Sequence, residues 1–99
     1  MTNINIKYER GTTMRITAYF TDPDTGAYVD PTNPTCIVTT PDGTVKLSGA
    51  MAQLGTGSYQ AECQTEFTDD VGWWTVKVYG TYGGKRVSET DKVQVVEAK

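Results

Sequence analysis

Apolar and polar side chains alternate along most of this chain, and a period of two residues is the period of a β-strand. The alternation is clearest over residues 14–20, 58–65 and 73–79. An α-helix would repeat its apolar positions every three to four residues, and no stretch of useful length does so. The pattern therefore predicts an all-β fold in which each strand buries one side.

Turn-forming residues divide the alternating stretches into seven or eight short strands, the spacing expected of a β-sandwich or a small barrel. Pro41-Asp42-Gly43-Thr44 predicts one hairpin turn, and Gly83-Gly84 predicts another because glycine tolerates positive φ. Two prolines in Asp30–Pro34 predict a break. Residues 48–53 are predicted as a loop or an edge strand, with one helical turn at 50–54 as the alternative. The predicted strands cover 3–8, 12–20, 27–29, 35–40, 45–47, 58–65, 73–79 and 86–97.

One side of each predicted strand should face a single core between two sheets. The 99 residues suffice for one domain, which we expect to span 1–99. The residues expected to face this core are Ile4, Ile6, Tyr8, Met14, Ile16, Ala18, Phe20, Cys36, Val38, Tyr59, Ala61, Cys63, Trp74, Val76, Val78, Val93 and Val95.

Three segments share motifs with a known family. They are Gly11–Asp22 with its continuation to Pro31, Thr39–Thr44, and Gly57–Ala61 followed by Gly72–Val78. They resemble the G-D-T opening, the P-D-G turn, and the G-x-Y-x-A and G-x-W-T-V strands of bacterial and phage immunoglobulin-like domains with a macroglobulin-type pattern. The resemblance covers 11–96 and implies an all-β, immunoglobulin-like antiparallel β-sandwich of seven to eight strands. It implies no catalytic residue, and Thr12 stands where the family usually has an acid.

Charge and composition exclude several classes of function. Twelve acidic and nine basic residues give a net charge of −3, and the largest basic cluster is Lys85-Arg86, so we predict no nucleic-acid partner. No apolar run approaches the roughly 20 residues that cross a bilayer, and residues 1–5 lack the features of a secretory signal, so we predict no membrane partner. The chain has no histidine, the commonest general base and metal ligand, so we predict no enzymatic activity, no metal and no cofactor.

The strand predicted at 73–79 carries the candidate binding residues. Trp73 and Trp74 are adjacent, so a strand directs them to opposite sides. Trp74 shares its phase with the valines that follow, which places it in the core. We interpret the other side as a contact surface because tryptophan and tyrosine dominate binding hot spots; the alternative is that Trp73 lies under a loop or at an end of the sandwich. The candidate binding residues are Trp73, Thr75, Lys77 and Tyr79.

Three other groups leave alternatives open. Cys36 and Cys63 both fall on inward sides, and without a secretion signal the sequence favours two free thiols over an inter-sheet disulfide. Aspartates in the turns favour capping of their own backbone over calcium binding. The remaining tyrosines are better explained by the preference of tyrosine for β-strands than by an extension of the contact surface. These aspartates and tyrosines are Asp22, Asp24, Asp30, Asp42, Asp69, Asp70, Tyr19, Tyr28 and Tyr82.

The first functional hypothesis is a non-enzymatic structural or interaction module of a phage virion, in the neck, the tail or the capsid decoration. Its partners would be other virion subunits, bound in multiple copies that follow the symmetry of the particle. The alternative is one domain of an extracellular or cell-surface bacterial adhesin or macroglobulin-like protein, which binds glycan through Trp73 and Tyr79.

Overall fold

The computed structural model describes residues 2–3, 7–22, 24–66 and 68–97, and these residues form nine β-strands and no helix. The predicted core positions Ile4 and Ile6 and the turn residue Pro23 lie outside the described residues. Nine strands replace the expected seven to eight: the segment predicted as one strand at 3–8 contains two, residues 52–55 form an additional strand, and residues 27–29 form none. The strands are β1 (Thr2–Asn3), β2 (Lys7–Glu9), β3 (Thr13–Tyr19), β4 (Thr32–Thr39), β5 (Val45–Ala50), β6 (Ala52–Gly55), β7 (Ser58–Gln64), β8 (Gly72–Tyr82) and β9 (Lys85–Val96).

The strands form two sheets with the orders β1-β3-β7-β6 and β2-β9-β8-β4-β5. In an immunoglobulin domain, one sheet has the strand order A-B-E-D and the other places F between C and G. Here β1, β3, β7 and β6 reproduce the first order, and β4, β8 and β9 reproduce the second. The all-β, immunoglobulin-like sandwich predicted from the sequence is therefore confirmed. In the part of the chain that the structure describes, no helix has the length and apolar character needed to cross a bilayer.

The chain passes between the sheets at both lateral edges of the sandwich, from β1 to β2 at one edge and from β5 to β6 at the other. β1 pairs with β3 antiparallel, whereas β2 pairs with β9 in parallel, so the sandwich is not wholly antiparallel. On the other side, β5 pairs with β4 and β6 pairs with β7, while the buried Met51 between them marks the crossing. Residues 48–50 and 52–53 therefore belong to edge strands, as predicted, on either side of Met51, and the helical alternative is wrong.

The inner sides of the strands meet in one apolar core. Trp74, Met14 and Ile16 are fully buried in it, whereas Tyr8 and Ala61 are only half-buried and pack against it. The other described residues predicted to face inward are buried, which confirms the alternation. They are Ala18, Phe20, Cys36, Val38, Tyr59, Cys63, Val76, Val78, Val93 and Val95.

The indole of Trp74 also fixes one end of β8. Its Nε1 donates a hydrogen bond of 2.9 Å to the carbonyl oxygen of Asp70, four residues earlier. In antibody-type domains a tyrosine at the start of the corresponding strand bonds back to the chain in the same way. The largest core side chain therefore buries its apolar surface and satisfies its only polar group.

Both predicted hairpins are present. In the β8–β9 hairpin, Tyr82 pairs with Lys85, and Gly83 and Gly84 have φ values of 61° and 77°, as a type I′ turn requires. In the β4–β5 turn, Oδ1 of Asp42 accepts hydrogen bonds from the Thr44 N–H at 3.0 Å and from the Thr40 hydroxyl. The two-residue β8–β9 loop fixes the register of the longest strand pair, which carries the surface described below.

Several strand boundaries differ from the prediction. β5 extends to Ala50 and β8 covers Gly72–Tyr82, and two larger differences concern residues 27–34. Residues 27–29 do not form a strand; Tyr28 makes only an isolated bridge with Thr21. β4 begins at Thr32 instead of residue 35 and contains Pro34. The register between β4 and β8 shifts across this proline, so a bulge accommodates a residue that has no N–H to donate.

Candidate binding surface

β8 lies inside the five-stranded sheet and carries the two adjacent tryptophans. The pleat directs Trp74 into the core, where it is 0% exposed, and Trp73 away from it, where it is 55% exposed. Trp73 thus lies on the outer side of the sheet and is not covered by a loop. The predicted orientation of both side chains is confirmed. Trp73 does not lie under a loop, but as the second residue of β8 it is near one end of the strand, as the other half of the alternative states.

The four candidate binding residues share this outer side. Trp73 is exposed, and Thr75, Lys77 and Tyr79 are half-buried by their neighbours on adjacent strands. Six residues separate Trp73 from Tyr79, so their Cα atoms are about 20 Å apart along the strand. The surface is therefore a long row and not a compact patch, and its binding role stays a prediction.

Tyr79 is flanked by two cations. The Lys77 Nζ atom lies 6.0 Å from the centre of its ring, and the Arg86 Cζ atom lies 5.0 Å from it. Both distances are in the range of cation–π attraction, which holds the charged groups against the sheet. Arg86 is not among the predicted binding residues because it lies on β9, a different strand from the four candidates. The two-residue turn was a usable signal, since it pairs Thr81 with Arg86 and sets the arginine diagonally opposite Tyr79.

Neighbouring strands extend the row on both sides into a surface that we call the five-strand face, the outer side of β2-β9-β8-β4-β5. Residues that are directly opposite across a strand pair project to the same side of a sheet. The register of β8 with β9 and β4, and of β9 with β2, therefore adds side chains to the four candidates. The added side chains include Ile37 from β4, Arg86, Lys92 and Gln94 from β9, and Lys7 from β2.

One end of the five-strand face is apolar and exposed. Val71, just before β8, is 46% exposed, and Val45, at the start of β5, is 56% exposed. Val45 lies opposite Thr39, which lies opposite Thr75, two residues from Trp73. Large apolar side chains exposed together on one surface are typical of interaction sites.

The other tyrosines do not extend this surface. Tyr19 belongs to β3 in the four-stranded sheet, and its ring lies 6.3 Å from that of Tyr28 in a tilted arrangement. Tyr82 is at the hairpin end of β8, and its phase along the strand is opposite to that of Trp73. Their scattered placement agrees with β-propensity.

The two cysteines are free thiols, as the sequence favoured, and both are buried. Burial, and secondarily the neighbouring Cys63, raises the pKa of the Cys36 thiol to about 12. Burial also raises the pKa of Cys63, against an opposing effect of Lys46. Both groups are therefore neutral at physiological pH and serve as small apolar core residues.

The turn aspartates bind backbone and side-chain donors. Oδ1 of Asp22 accepts hydrogen bonds from the backbone N–H groups of Asp24 and Thr25. Oδ1 of Asp30 accepts three, from the Gly57 N–H at 2.8 Å, the Gln53 amide at 3.0 Å and the Tyr59 hydroxyl at 3.0 Å. Among the residues that the structure describes, no three Cys, Asp or Glu side chains are grouped so that they could hold a metal ion.

Comparisons with known proteins bear on the fold alone. No protein-family model and no curated protein matches the sequence. A DUF4785 family protein from Legionella pneumophila matches in structure with a TM-score of 0.68 and 14% identity over 97% of this chain. This chain spans only 27% of that protein. CopC from Methylosinus trichosporium OB3b matches with a TM-score of 0.67 and 16% identity, over 96% of this chain and 88% of CopC. At these identities, the likeness supports an immunoglobulin-like β-sandwich and carries over no site.

Proposed function

We propose that this chain is a non-catalytic interaction module that docks on a protein partner through the five-strand face. The observation that carries the proposal is the exposure of Trp73 on the outer side of a sheet. The outer side of an antiparallel sheet is ordinarily polar because it faces water. Trp73 therefore departs from the pattern that folding requires.

The composition of the face supports the proposal. Tryptophan, tyrosine and arginine are the residues most enriched in binding hot spots, and Trp73, Tyr79 and Arg86 all lie here. Covering the exposed half of a tryptophan removes on the order of 100 Å² from water, which contributes about 2–3 kcal/mol. Paired strands hold these side chains in place, so little ordering is needed on binding.

The setting that we propose is a phage virion, where other virion subunits would present the partner surface in repeated copies. The support for this setting is the sequence resemblance carried by Gly57–Ala61 and Gly72–Val78. Repetition would raise avidity even where a single contact is weak. The alternative setting is an extracellular protein whose domain binds glycan; the exposed Trp73, which can stack on a sugar ring, favours it.

Site-specific photo-crosslinking in the source cells tests the docking function. A benzophenone amino acid replaces Thr75 on the five-strand face or Thr17 on the outer side of the four-stranded sheet. The two positions are matched because both are half-buried threonines on strands with neighbours on either side. We expect position 75 to capture one defined protein and position 17 to capture none.

Trp73→Ala in the position-75 variant provides the second measurement. Capture should fall at least tenfold, because the anchor of the contact is lost. Equal capture from both positions, or capture that is unchanged without Trp73, would contradict the docking function. Identification of the captured protein by mass spectrometry separates a virion subunit from other partners, and Trp73-dependent glycan binding with no captured protein would favour the alternative.

A further inference from the structure

The charge of the five-strand face is opposite to that of the whole chain. Among the side chains that the structure describes, this face carries four cations and a single carboxylate, that of Glu9. The whole chain has a net charge of −3. The cations, which sequence order scatters over three strands, are Lys7, Lys77, Arg86 and Lys92.

β9 separates its charges by sign. Arg86 and Lys92 point outward because they are opposite Thr81 and Thr75, which share a side with Trp73. Glu89 and Asp91 are opposite the buried Val78 and Val76, so they project to the other side of the sheet. The two carboxylates of this strand that are nearest in sequence to the outward cations therefore lie on the side away from those cations.

The outward cations of β8 and β9 are not used in ion pairs within the described part of the chain. The ion pairs among described side chains join Arg10 to Glu97, Arg15 to Glu62, and Lys46 to Asp69. Lys77 and Arg86 instead lie against the ring of Tyr79. Contact with an aromatic ring leaves the N–H groups of a cation able to donate to an incoming carboxylate.

We infer that the five-strand face binds an acidic protein surface, whose carboxylates meet Lys77, Arg86 and Lys92 while an apolar group covers Trp73. This inference rests on the proposed docking function and names the chemistry of the partner. Complementary charge steers association and rejects partners of the wrong sign.

A protein fits the face better than a long polyanion such as a nucleic acid does. Nucleic-acid binding commonly neutralises about 6–10 phosphates, and this face offers four cations. The rest of the molecule is acidic and lies within a Debye length, about 10 Å at 0.1 M salt, of a long anionic strand that extends past the face. A folded protein can place a few carboxylates opposite the cations and keep the remainder of its charge away.

The test uses isotope-labelled protein titrated with short poly-L-glutamate as the probe, followed by NMR. Shifts should be confined to the amides of β8 and β9 and to the indole N–H of Trp73. Reversal of three charges, K77E/R86E/K92E, should raise the Kd at least tenfold, and the neutral form K77Q/R86Q/K92Q should raise it less. Lys92→Gln and Arg15→Gln are matched single variants. Lys92→Gln should raise the Kd for poly-L-glutamate, and Arg15→Gln should leave it unchanged, because only Lys92 lies on this face.

Three results would overturn the inference: shifts spread over both sheets, a Kd unchanged by charge reversal, or tighter binding of alginate, oligothymidylate or anionic vesicles than of polyglutamate. The photo-crosslink from position 75 keeps the two proposals apart. If position 75 still captures a partner in K77E/R86E/K92E and at high salt, the docking function stands and the acidic partner is rejected. Absence of capture rejects the docking function itself.

Discussion

The outer sides of the two sheets are built from similar alternating strands and differ in how they use charge and aromatic rings. On the four-stranded side, Arg15 and Glu62 are opposite each other and form an ion pair of 3.8 Å. The Thr13 hydroxyl there donates a hydrogen bond of 2.6 Å to Gln64. On the five-strand face, Trp73 is exposed, and Lys77 and Arg86 lie against a tyrosine ring.

The inner sides of the sheets are needed for folding, whereas the exposed aromatic and basic residues of the five-strand face are not. The inner sides of both sheets supply buried apolar residues to one core, so both sheets contribute to stability in the same way. On the four-stranded side, Arg15 pairs with Glu62 and Thr13 with Gln64, so these polar groups bond to each other. The five-strand face adds an exposed tryptophan and two cations that lie against a tyrosine ring, which is the reason for assigning binding to that face.

The largest expected effect comes from the adjacent tryptophans. Trp74→Ala should lower the free energy of unfolding by about 3–5 kcal/mol, since it empties the centre of the core and frees the carbonyl of Asp70. Trp73→Ala should lower it by clearly less, about 1 kcal/mol, because about half of the side chain is in water and its removal leaves no cavity in the core. Urea denaturation followed by circular dichroism measures both. Comparable losses in the two variants would mean that the five-strand face is needed for folding.

A smaller effect is expected from a charge that links the two sheets. Asp69 follows β7, and Lys46 belongs to β5; the Lys46 Nζ lies 3.1 and 3.0 Å from the two carboxylate oxygens of Asp69. Burial raises the pKa of Asp69, but hydrogen bonds from the Glu66 N–H and from Lys46, with the charge of Lys46, lower it by more. The pKa in the folded protein is therefore below the ordinary value.

Asp69→Asn should lower the free energy of unfolding by about 1 kcal/mol at pH 7. A lowered pKa gives stability that is fully present above the ordinary carboxyl value and lost as pH falls through the folded pKa. The difference between the wild type and the variant should therefore shrink below about pH 4, as measured by urea denaturation at pH 7 and pH 3. Asp42, whose pKa its hydrogen bonds also lower, stays in both proteins. A difference that is constant or larger at pH 3 would contradict this role for Asp69.

The smallest effect is expected at exposed charges on the two outer faces. Glu62→Gln and Lys92→Gln should each change the free energy of unfolding by less than about 0.5 kcal/mol, since exposed charges contribute little. The two variants should differ in the dependence of partner binding on salt, which only Lys92→Gln should weaken. If partner binding depends on salt equally in both variants, the charge of the five-strand face is not specifically used in binding.

Period-two alternation was enough to place the described core residues other than Met51, and the side of Trp73, because a strand's pleat is a local property of the backbone. The two hairpins followed from local turn chemistry at Pro41–Thr44 and Gly83-Gly84. The start of β4 was misplaced because a bulge accepts Pro34, and a bulge depends on the partner strand. The segment 27–29 was misplaced because strand pairing, and not residue type, decides whether an extended segment joins a sheet.

The sequence by itself determined an all-β chain, its inner and outer sides and most of its turns, because each of these depends on residues close together along the chain. Only the tertiary structure decided which outer residues are neighbours. Strand order and register bring Lys7, Lys77, Arg86 and Lys92 to one face and send Glu89 and Asp91 to the other side of the same sheet. The sequence shows only an acidic chain without a basic cluster. The net charge of a surface is a sum over residues on strands that are distant in sequence, so it is defined only after the sheet has formed.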